Sequence, residues 1–389
     1  MSTPQPSAPE AQALELDISI VMPCLNEEGG VGECVQKAVN WMNRAGLNGE
    51  VIVVDNGSED RSAEIAAAAG AKVVRESERG YGAALRRGFR EARGHYMVMG
   101  DCDGTYEFSD LDPLVGPLEE GYDLVMGNRL TDQLAPGAMP WMHRFIGTPI
   151  ISWVIRFFTG ARVRDSQCGL RAMRRDAIQS LGLRSPGMEF ASEMVLKAAR
   201  RDLRIAEVPI PYNVRTGEAK LSTVRDGWRH LRFLLISSPS YVFMAPGLLF
   251  VLLGLISLII TASSTSGVDI GPVDWEPVFA AGIFFVVGVN ALLLGLVSKL
   301  LGVRTGDAES RVVRFYHRYL GLEKLLALAV LVLLCGVAVE LYVLIAWLGD
   351  SDRDLLPWAA SGQALVIVGA NLIFGALAVA VVDDETSPL

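Results

Sequence analysis

Four long apolar runs after residue 240 constrain this chain more than any other feature. They cover residues 241–262, 277–298, 325–348 and 358–382. Each is about as long as the roughly 20 residues that cross a bilayer as an α-helix. A buried core helix would explain one such run, but four in succession predict a four-helix transmembrane region over residues 241–383. The mean hydropathy of +0.32 agrees with a membrane protein.

The loops between these runs differ in charge. The first and third loops are acidic, whereas the second is basic and contains Lys299, Arg304, Arg311, Arg314, Arg318 and Lys324. Positively charged loops tend to stay on the cytoplasmic side of a membrane. We therefore expect a multi-pass protein of the plasma membrane, with both termini and the large N-terminal region in the cytoplasm.

The region before the apolar runs shows the pattern of a soluble α/β domain over residues 17–222. Short apolar strands are predicted at 18–22, 51–54, 72–74 and 96–99, with helix-like stretches between them. This alternation predicts a mixed, mostly parallel sheet, and ligands of such sheets bind beyond the carboxyl ends of the strands.

The remaining segments are short. We expect a disordered tail over residues 1–16, an amphipathic juxtamembrane segment over 223–240 and a cytoplasmic tail over 384–389. The five cysteines are scattered and form no CxxC pair, so the sequence predicts neither a disulfide framework nor a zinc site. A pI of about 5.1 argues against a nucleic-acid partner.

Acidic side chains follow two of the predicted strands. Asp55 follows the second strand, where it can accept hydrogen bonds from a base or a ribose. Asp101 and Asp103 follow the fourth, and residues i and i+2 of a strand project to the same side. Two carboxylates in this arrangement can hold a divalent ion against a diphosphate, because Mg²⁺ keeps several waters and prefers substrate phosphates. The sequence therefore predicts a site for Mg²⁺ or Mn²⁺ at Asp101 and Asp103.

Two further patterns indicate phosphate binding. A glycine loop that includes Gly82 can bring backbone amides to a diphosphate, although an ordinary turn explains it equally well. Between Asp132 and Asp165 there is no acidic residue, and arginines, among them Arg144, lie among aromatic side chains. This composition favours an interfacial groove for a lipid with a phosphate head; a solvated basic face is the alternative.

The chain resembles the inverting GT-A glycosyltransferases that make polyprenyl-phosphate sugars, the dolichyl-phosphate mannose and glucose synthase type. The resemblance covers about residues 17–235. It is carried by PCLNEE, VIVVDNGSED, RGYGAALRRGF, GDCDGTYEF, MGNRL, DSQCGLRAMRR, MEFASEM and RTGEAKLSTVRDGWRHLRFLL.

The resemblance implies three groups of site residues. The nucleotide sugar is expected to contact Pro23, Glu27, Asp55 and Asp101, in addition to Gly82 of the glycine loop. The acceptor phosphate is expected to contact Arg129, Arg144, Arg215 and Lys220, the last two in a mobile loop. The catalytic set is Asp101, Asp103, Arg129 and Asp165, the last in a structural or orienting role. Some relatives have a glutamine where this chain has Thr105, so the resemblance supplies no third metal ligand.

Together these features predict a membrane-bound inverting glycosyltransferase. It would move a hexose from a nucleotide sugar of the UDP-glucose or GDP-mannose class to a polyprenyl phosphate. One alternative is a processive polysaccharide synthase, but residues 226–230 do not supply the QxxRW signature of those enzymes. Another is a non-catalytic lipid carrier or flippase with a nucleotide-sugar sensor, which the acidic Glu340 within the third run would suit. A homo-oligomeric state is left open.

Overall fold

The structure of the chain is a computed structural model, which describes residues 16–217, 223–263, 268–270, 273–275, 277–304, 310–349 and 355–384. The chain divides into two units, Met1–Leu234 and Leu235–Leu389. Most of the two expected tails lies outside the described residues. Leu16, which the sequence assigned to the first tail, instead begins a strand, and Asp384 ends the last helix.

The first unit is built on one seven-stranded sheet. Its strands are β1 (Leu16–Cys24), β2 (Gly49–Asp55), β3 (Lys72–Arg75), β4 (Gly94–Met99), β5 (Leu124–Asn128), β6 (Arg171–Arg174) and β7 (Ile205–Pro209). Their order across the sheet is β3-β2-β1-β4-β6-β5-β7. β6 is antiparallel to β4 and β5, and the other pairings are parallel. The predicted mixed, mostly parallel sheet is confirmed.

Helices cover both faces of this sheet. They are α1 (Val31–Ala45), α2 (Ser62–Ala68), α3 (Tyr81–Glu91), α4 (Asp112–Glu119), α5 (Thr148–Thr159), α6 (Arg175–Leu181), α7 (Phe190–Arg200) and α8 (Thr223–Ile236). Alternate residues of a strand enter opposite cores: Ile20 packs with Val35 of α1, whereas Val21 packs with Leu85 of α3. Both faces of β1 are buried, which is why it reads as a continuous apolar run.

The second unit consists mainly of long apolar helices. They are α9 (Ala245–Ser263), α10 (Pro277–Arg304), α12 (Gly321–Leu348) and α13 (Leu356–Asp384), with the short α11 (Arg311–Phe315) before α12 and a β8–β9 hairpin (Val268–Ile270, Val273–Trp275) after α9. Within the described residues, four helical stretches are long and apolar enough to span a membrane. The predicted number of spans is confirmed, but α10 continues six residues beyond the predicted span and α12 begins four residues before it, because their ends carry charged residues that a hydropathy criterion leaves out.

Candidate active site

A cleft of about 270 Å³ lies at the carboxyl ends of β1 and β4. From β1 the chain proceeds to β2 and β3 on one side of the sheet, and then crosses to β4 on the other. The cleft therefore occupies the point where the strand order reverses, which is where open α/β sheets bind ligands. Of the predicted site residues, Pro23, Glu27, Asp101, Asp103 and Arg215 line it.

Asp101 has a carboxylate oxygen without a partner. Its Oδ1 atom is buried, and no hydrogen-bond donor among the described residues reaches it. Burial and the nearby Asp103 carboxylate raise the pKa of Asp101 to about 7, although a hydrogen bond with the Tyr81 side chain works in the opposite direction. A buried oxygen in this state is a ready ligand for a cation.

Asp103 is fixed from two directions. Its Oδ1 accepts hydrogen bonds from the backbone N–H of Thr105, at 3.0 Å, and from the Thr105 hydroxyl. Its Oδ2 lies 3.0 Å from Nη1 of Arg215. The other Arg215 nitrogen, Nη2, donates to Glu27. Arg215 thus places a positive charge between two carboxylates of the cleft.

The loop that carries Arg215 is held in place by its backbone. Thr216 donates its N–H to the carbonyl of Asp103, and Asn213 donates to that of Thr105, both at 2.9 Å. Lys220, predicted in the same loop, lies outside the described residues.

Asp55 and its neighbour Asn56 organise the wall of the cleft beside β2. The Asp55 carboxylate accepts a hydrogen bond from the backbone N–H of Ser58 at 2.9 Å. The Asn56 side chain donates to the carbonyls of Glu76 and Glu78 and accepts from the N–H of Gly80. Sequence analysis missed Asn56, which reads as part of an ordinary Asn-Gly turn.

The two loop glycines permit a close backbone contact. Gly80 has φ of +140°, and a Cβ atom there would lie 2.2 Å from the carbonyl oxygen of Pro186. A Cβ on Gly82 would lie 2.2 Å from the carbonyl oxygen of Ser185. Gly80 lines the cleft. Gly82, which was predicted to bind the donor, packs against the 185–187 loop, so its donor contact stays a prediction.

The cleft residues suit a divalent metal ion with substrate ligands. The unpartnered Oδ1 of Asp101 is a hard carboxylate oxygen, and Asp103 brings a second carboxylate. In the described part of the chain, no group of three or more His, Cys, Asp or Glu residues is arranged to hold a metal ion. Two protein carboxylates fit Mg²⁺ or Mn²⁺ only if a diphosphate and water complete the coordination.

Arg129 and Asp165 form a buried ion pair beyond the cleft lining. The Nε and Nη2 atoms of Arg129 donate to the two carboxylate oxygens of Asp165 at 2.8 and 2.9 Å. Burial disfavours the charged form of Asp165, but Arg129 holds the pKa of this carboxyl below its usual value. Glu207 accepts from the N–H of Asp165 at 2.7 Å, and the Tyr212 ring lies against the Arg129 guanidinium. The ion pair fixes the position of the Arg129 guanidinium. The role of Asp165 in the reaction and the contact of Arg129 with an acceptor phosphate both stay predictions.

The predicted interfacial segment forms a π-helical turn, His143–Gly147, followed by α5. Arg144 is exposed, and its guanidinium lies 5.2 Å from the centre of the Phe145 ring. One face of the segment is exposed and apolar, and comprises Trp141, Phe145, Ile146, Ile150, Trp153 and Phe157. The opposite face of α5 enters the core. An apolar face left in contact with solvent marks an interaction surface.

A network of buried, hydrogen-bonded polar side chains connects α5, α7 and α8 around Asp165. Gln167 donates to the hydroxyls of Ser166 and Ser192, both at 3.1 Å. The Ser166 hydroxyl lies 2.9 Å from that of Ser152 in α5, and the Ser192 hydroxyl in α7 lies 2.9 Å from Nδ1 of His230 in α8. No local sequence pattern indicates this network, because its members lie in four separate segments.

Comparison with known proteins identifies two regions. The sequence profile "Glycosyl transferase family 2" matches residues 19–182, and "Glycosyltransferase family 2 C-terminal transmembrane region" matches residues 296–383. Three similar proteins come from Haloferax volcanii. "Low-salt glycan biosynthesis hexosyltransferase Agl6" is 36% identical, over 92% of this chain and 87% of its own length. "Glycosyltransferase AglJ" is 32% identical, over 73% of this chain and 93% of its own, and "Dolichyl-phosphate hexose transferase" is 33% identical, over 54% and 89%.

Proposed function

The chain belongs to glycosyltransferase family 2, and from this membership and the geometry of the cleft we propose that it transfers a hexose from a nucleotide sugar to a polyprenyl phosphate. The observation that carries the proposal is the carboxylate pair Asp101 and Asp103 at the strand-order reversal, with one buried oxygen unpartnered. The similarity to a protein named dolichyl-phosphate hexose transferase supports a lipid-phosphate acceptor.

The donor would lie in the cleft with its diphosphate at Asp101 and Asp103. Mg²⁺ or Mn²⁺ held there would stabilise the negative charge that develops on the departing diphosphate. Arg215 would turn its guanidinium from Glu27 and Asp103 toward the phosphates, for which its planar donors are suited. Asn56 holds in place the wall of the cleft beside β2, where the nucleotide would bind.

The acceptor supplies an oxygen that is already ionised. A phosphate monoester with a second pKa of about 6 is mostly dianionic near neutrality, so the reaction needs no strong general base. The acceptor oxygen forms a bond to the anomeric carbon while the bond from that carbon to the diphosphate breaks and the diphosphate leaves with the electron pair. Direct attack inverts the configuration of the anomeric carbon. Arg129, held by Asp165, and Arg144 would orient the acceptor phosphate.

The surface of the first unit supports an acceptor that comes from a lipid phase. The exposed apolar face of the His143–Gly147 turn and α5 would enter the membrane surface. In α8, Trp228 is 60% exposed, which gives a second apolar element. The basic second loop of the membrane unit supports a cytoplasmic position for the catalytic unit.

The test is transfer of label into lipid. Purified full-length protein with Mg²⁺ or Mn²⁺ and a short polyprenyl phosphate is given a panel of labelled nucleotide sugars that includes UDP-glucose and GDP-mannose. We expect label from one donor to become extractable into organic solvent as an alkali-stable or acid-labile lipid phosphate sugar. Label found only in free sugar, or in a growing polymer, would contradict the proposed acceptor.

The matched variants are Asp103→Asn and Asp110→Asn. Asp103→Asn should abolish transfer and leave the thermal unfolding midpoint within a few degrees of wild type. Asp110 is exposed and also belongs to an Asp-x-Asp pair, so Asp110→Asn should keep near-full activity. Near-full activity of Asp103→Asn would reject the assigned site.

A further inference from the structure

The Arg311–Leu320 segment of the second unit has no role in the proposed reaction. It consists of α11 and a π-helical turn, Tyr316–Leu320, and it precedes the membrane helix α12. Gly321, with φ of +63°, separates the two. Because a residue with positive φ does not continue a right-handed α-helix, the helical path is interrupted between the Arg311–Leu320 segment and the rest of α12.

One face of the Arg311–Leu320 segment is fixed to the ends of the membrane helices. Val313 and Tyr316 are buried in a cluster with Leu300 of α10 and Val379 of α13. Nε2 of His317 also lies 2.8 Å from a carboxylate oxygen of Asp383, near the end of α13. The segment is therefore packed across the ends of α10 and α13.

A second face is basic. Arg311, Arg314 and Arg318 are spaced i, i+3 and i+7, which places them on one side of a helix, and all three are exposed. No carboxylate of the described residues forms an ion pair with them. Three guanidinium groups are therefore directed to the surroundings of the second unit.

A third face is aromatic. Phe315 and Tyr319 are 54% and 53% exposed, and their ring centres lie 5.2 Å apart. Arg318 lies over the Tyr319 ring at 5.3 Å. Aromatic rings beside arginines, at the end of a membrane-spanning helix, match the level of lipid headgroups, where apolar chains meet water and phosphate.

We propose that the Arg311–Leu320 segment is a binding surface for the anionic phospholipid headgroups of the bilayer that the second unit spans. The three arginines bind headgroup phosphates, for which guanidinium donors have the right geometry. Phe315 and Tyr319 rest at the boundary of the acyl chains. This surface is distinct from the cleft and serves the bulk lipid rather than the reacting acceptor.

The test uses the purified full chain in micelles that contain equal amounts of phosphatidylglycerol and phosphatidylcholine. Native mass spectrometry counts the molecules of each lipid that the protein retains. Wild type should retain phosphatidylglycerol in preference. The triple variant Arg311→Gln, Arg314→Gln, Arg318→Gln should lose this preference by roughly a hundredfold, since each basic residue near an anionic surface contributes about a fivefold effect.

The control removes the same number of charges from exposed arginines of the first unit, Arg61→Gln, Arg75→Gln and Arg201→Gln. It should keep the wild-type preference, and Arg314→Gln alone should lose part of it. An unchanged preference in the triple variant, or an equal loss in the control, would overturn the proposal. Retention of added polyprenyl phosphate without phosphatidylglycerol would do the same, because the surface would then belong to the acceptor.

Discussion

The buried ion pair of Arg129 and Asp165 gives the sharpest prediction for stability. Asp165 is fully buried, and its carboxylate accepts three hydrogen bonds from Arg129, one of them from the backbone N–H. Asp165→Asn leaves the guanidinium buried without a charge partner and turns one acceptor into a donor. Breaking a buried pair in this way costs about 3–5 kcal/mol. At about 2–4 °C per kcal/mol for a unit of this size, the unfolding midpoint should fall by roughly 6–20 °C.

The matched control is an exposed aspartate–arginine pair in the same unit. Asp176 lies 3.1 Å from Arg174, and its side chain is 68% exposed. Asp176→Asn should cost at most about 1 kcal/mol, because surface pairs contribute little. Thermal unfolding of both purified variants decides the matter. If Asp165→Asn costs no more than Asp176→Asn, the argument from burial is refuted.

The same pair predicts the response to acid. The pKa of Asp165 is lower in the folded protein than its ordinary value, so the unfolded chain binds the proton more readily. The stabilising contribution is complete above the unfolded pKa of about 3.9 and is lost as the pH falls through the folded value. The difference in stability between wild type and Asp165→Asn should therefore shrink only as the pH is lowered below about 4. A constant difference would contradict this.

A double variant separates structure from catalysis. Replacing both members, Arg129→Met with Asp165→Leu, removes the buried charges and should recover much of the stability lost in Asp165→Asn. If Arg129 orients the acceptor phosphate, the stable double variant still transfers no sugar to lipid. Recovery of transfer together with stability would show that the pair is purely structural.

Two further predictions concern the cleft. Gly80→Ala should lower the free energy of unfolding by at least about 2 kcal/mol more than Gly160→Ala does, as measured in an unfolding titration. Both glycines have positive φ, but only at Gly80 would the new Cβ atom meet a carbonyl oxygen, that of Pro186, at 2.2 Å. Equal costs would refute the close contact. Arg215→Ala should raise the affinity for Mn²⁺ in the absence of nucleotide by roughly tenfold, about 1.4 kcal/mol, because Arg215 competes with the metal ion for Asp103. Calorimetric titration that shows unchanged or weaker Mn²⁺ binding would refute this competition.

The sequence predicted the first four strands because they are apolar and separated by helix-like stretches, but it missed β5, β6 and β7. β6 contains Arg171, which reads as a surface residue. In the fold its guanidinium is fully buried and donates to the carbonyls of Ser166, Cys168 and Ala191. Since these partners come from the preceding loop and from α7, no local pattern could reveal them.

The residues of the candidate site likewise fall into two groups, those that a local sequence pattern reveals and those that it does not. Asp101 and Asp103 could be found because their i, i+2 spacing follows an apolar strand, a signal that is entirely local. Glu207 could not, since its partner Asp165 lies 42 positions earlier in the chain. Residues that would touch the donor are thus marked by motifs, whereas residues that hold those in place are set by tertiary contacts.

The charges of the cleft explain why it should bind a cation so readily. Glu27 and Asp103 both form ion pairs with Arg215, and the carboxylate of Asp101 lies close to that of Asp103. Uncompensated charge in a site with little water is costly, and the raised pKa of Asp101 expresses that cost as a tendency to keep a proton near neutrality. A divalent ion held by Asp101 and Asp103 would remove this cost without protonation, and a bound diphosphate would then balance the charges of the ion and of Arg215. Repulsion between the carboxylates would thereby couple the binding of the ion to the binding of the donor.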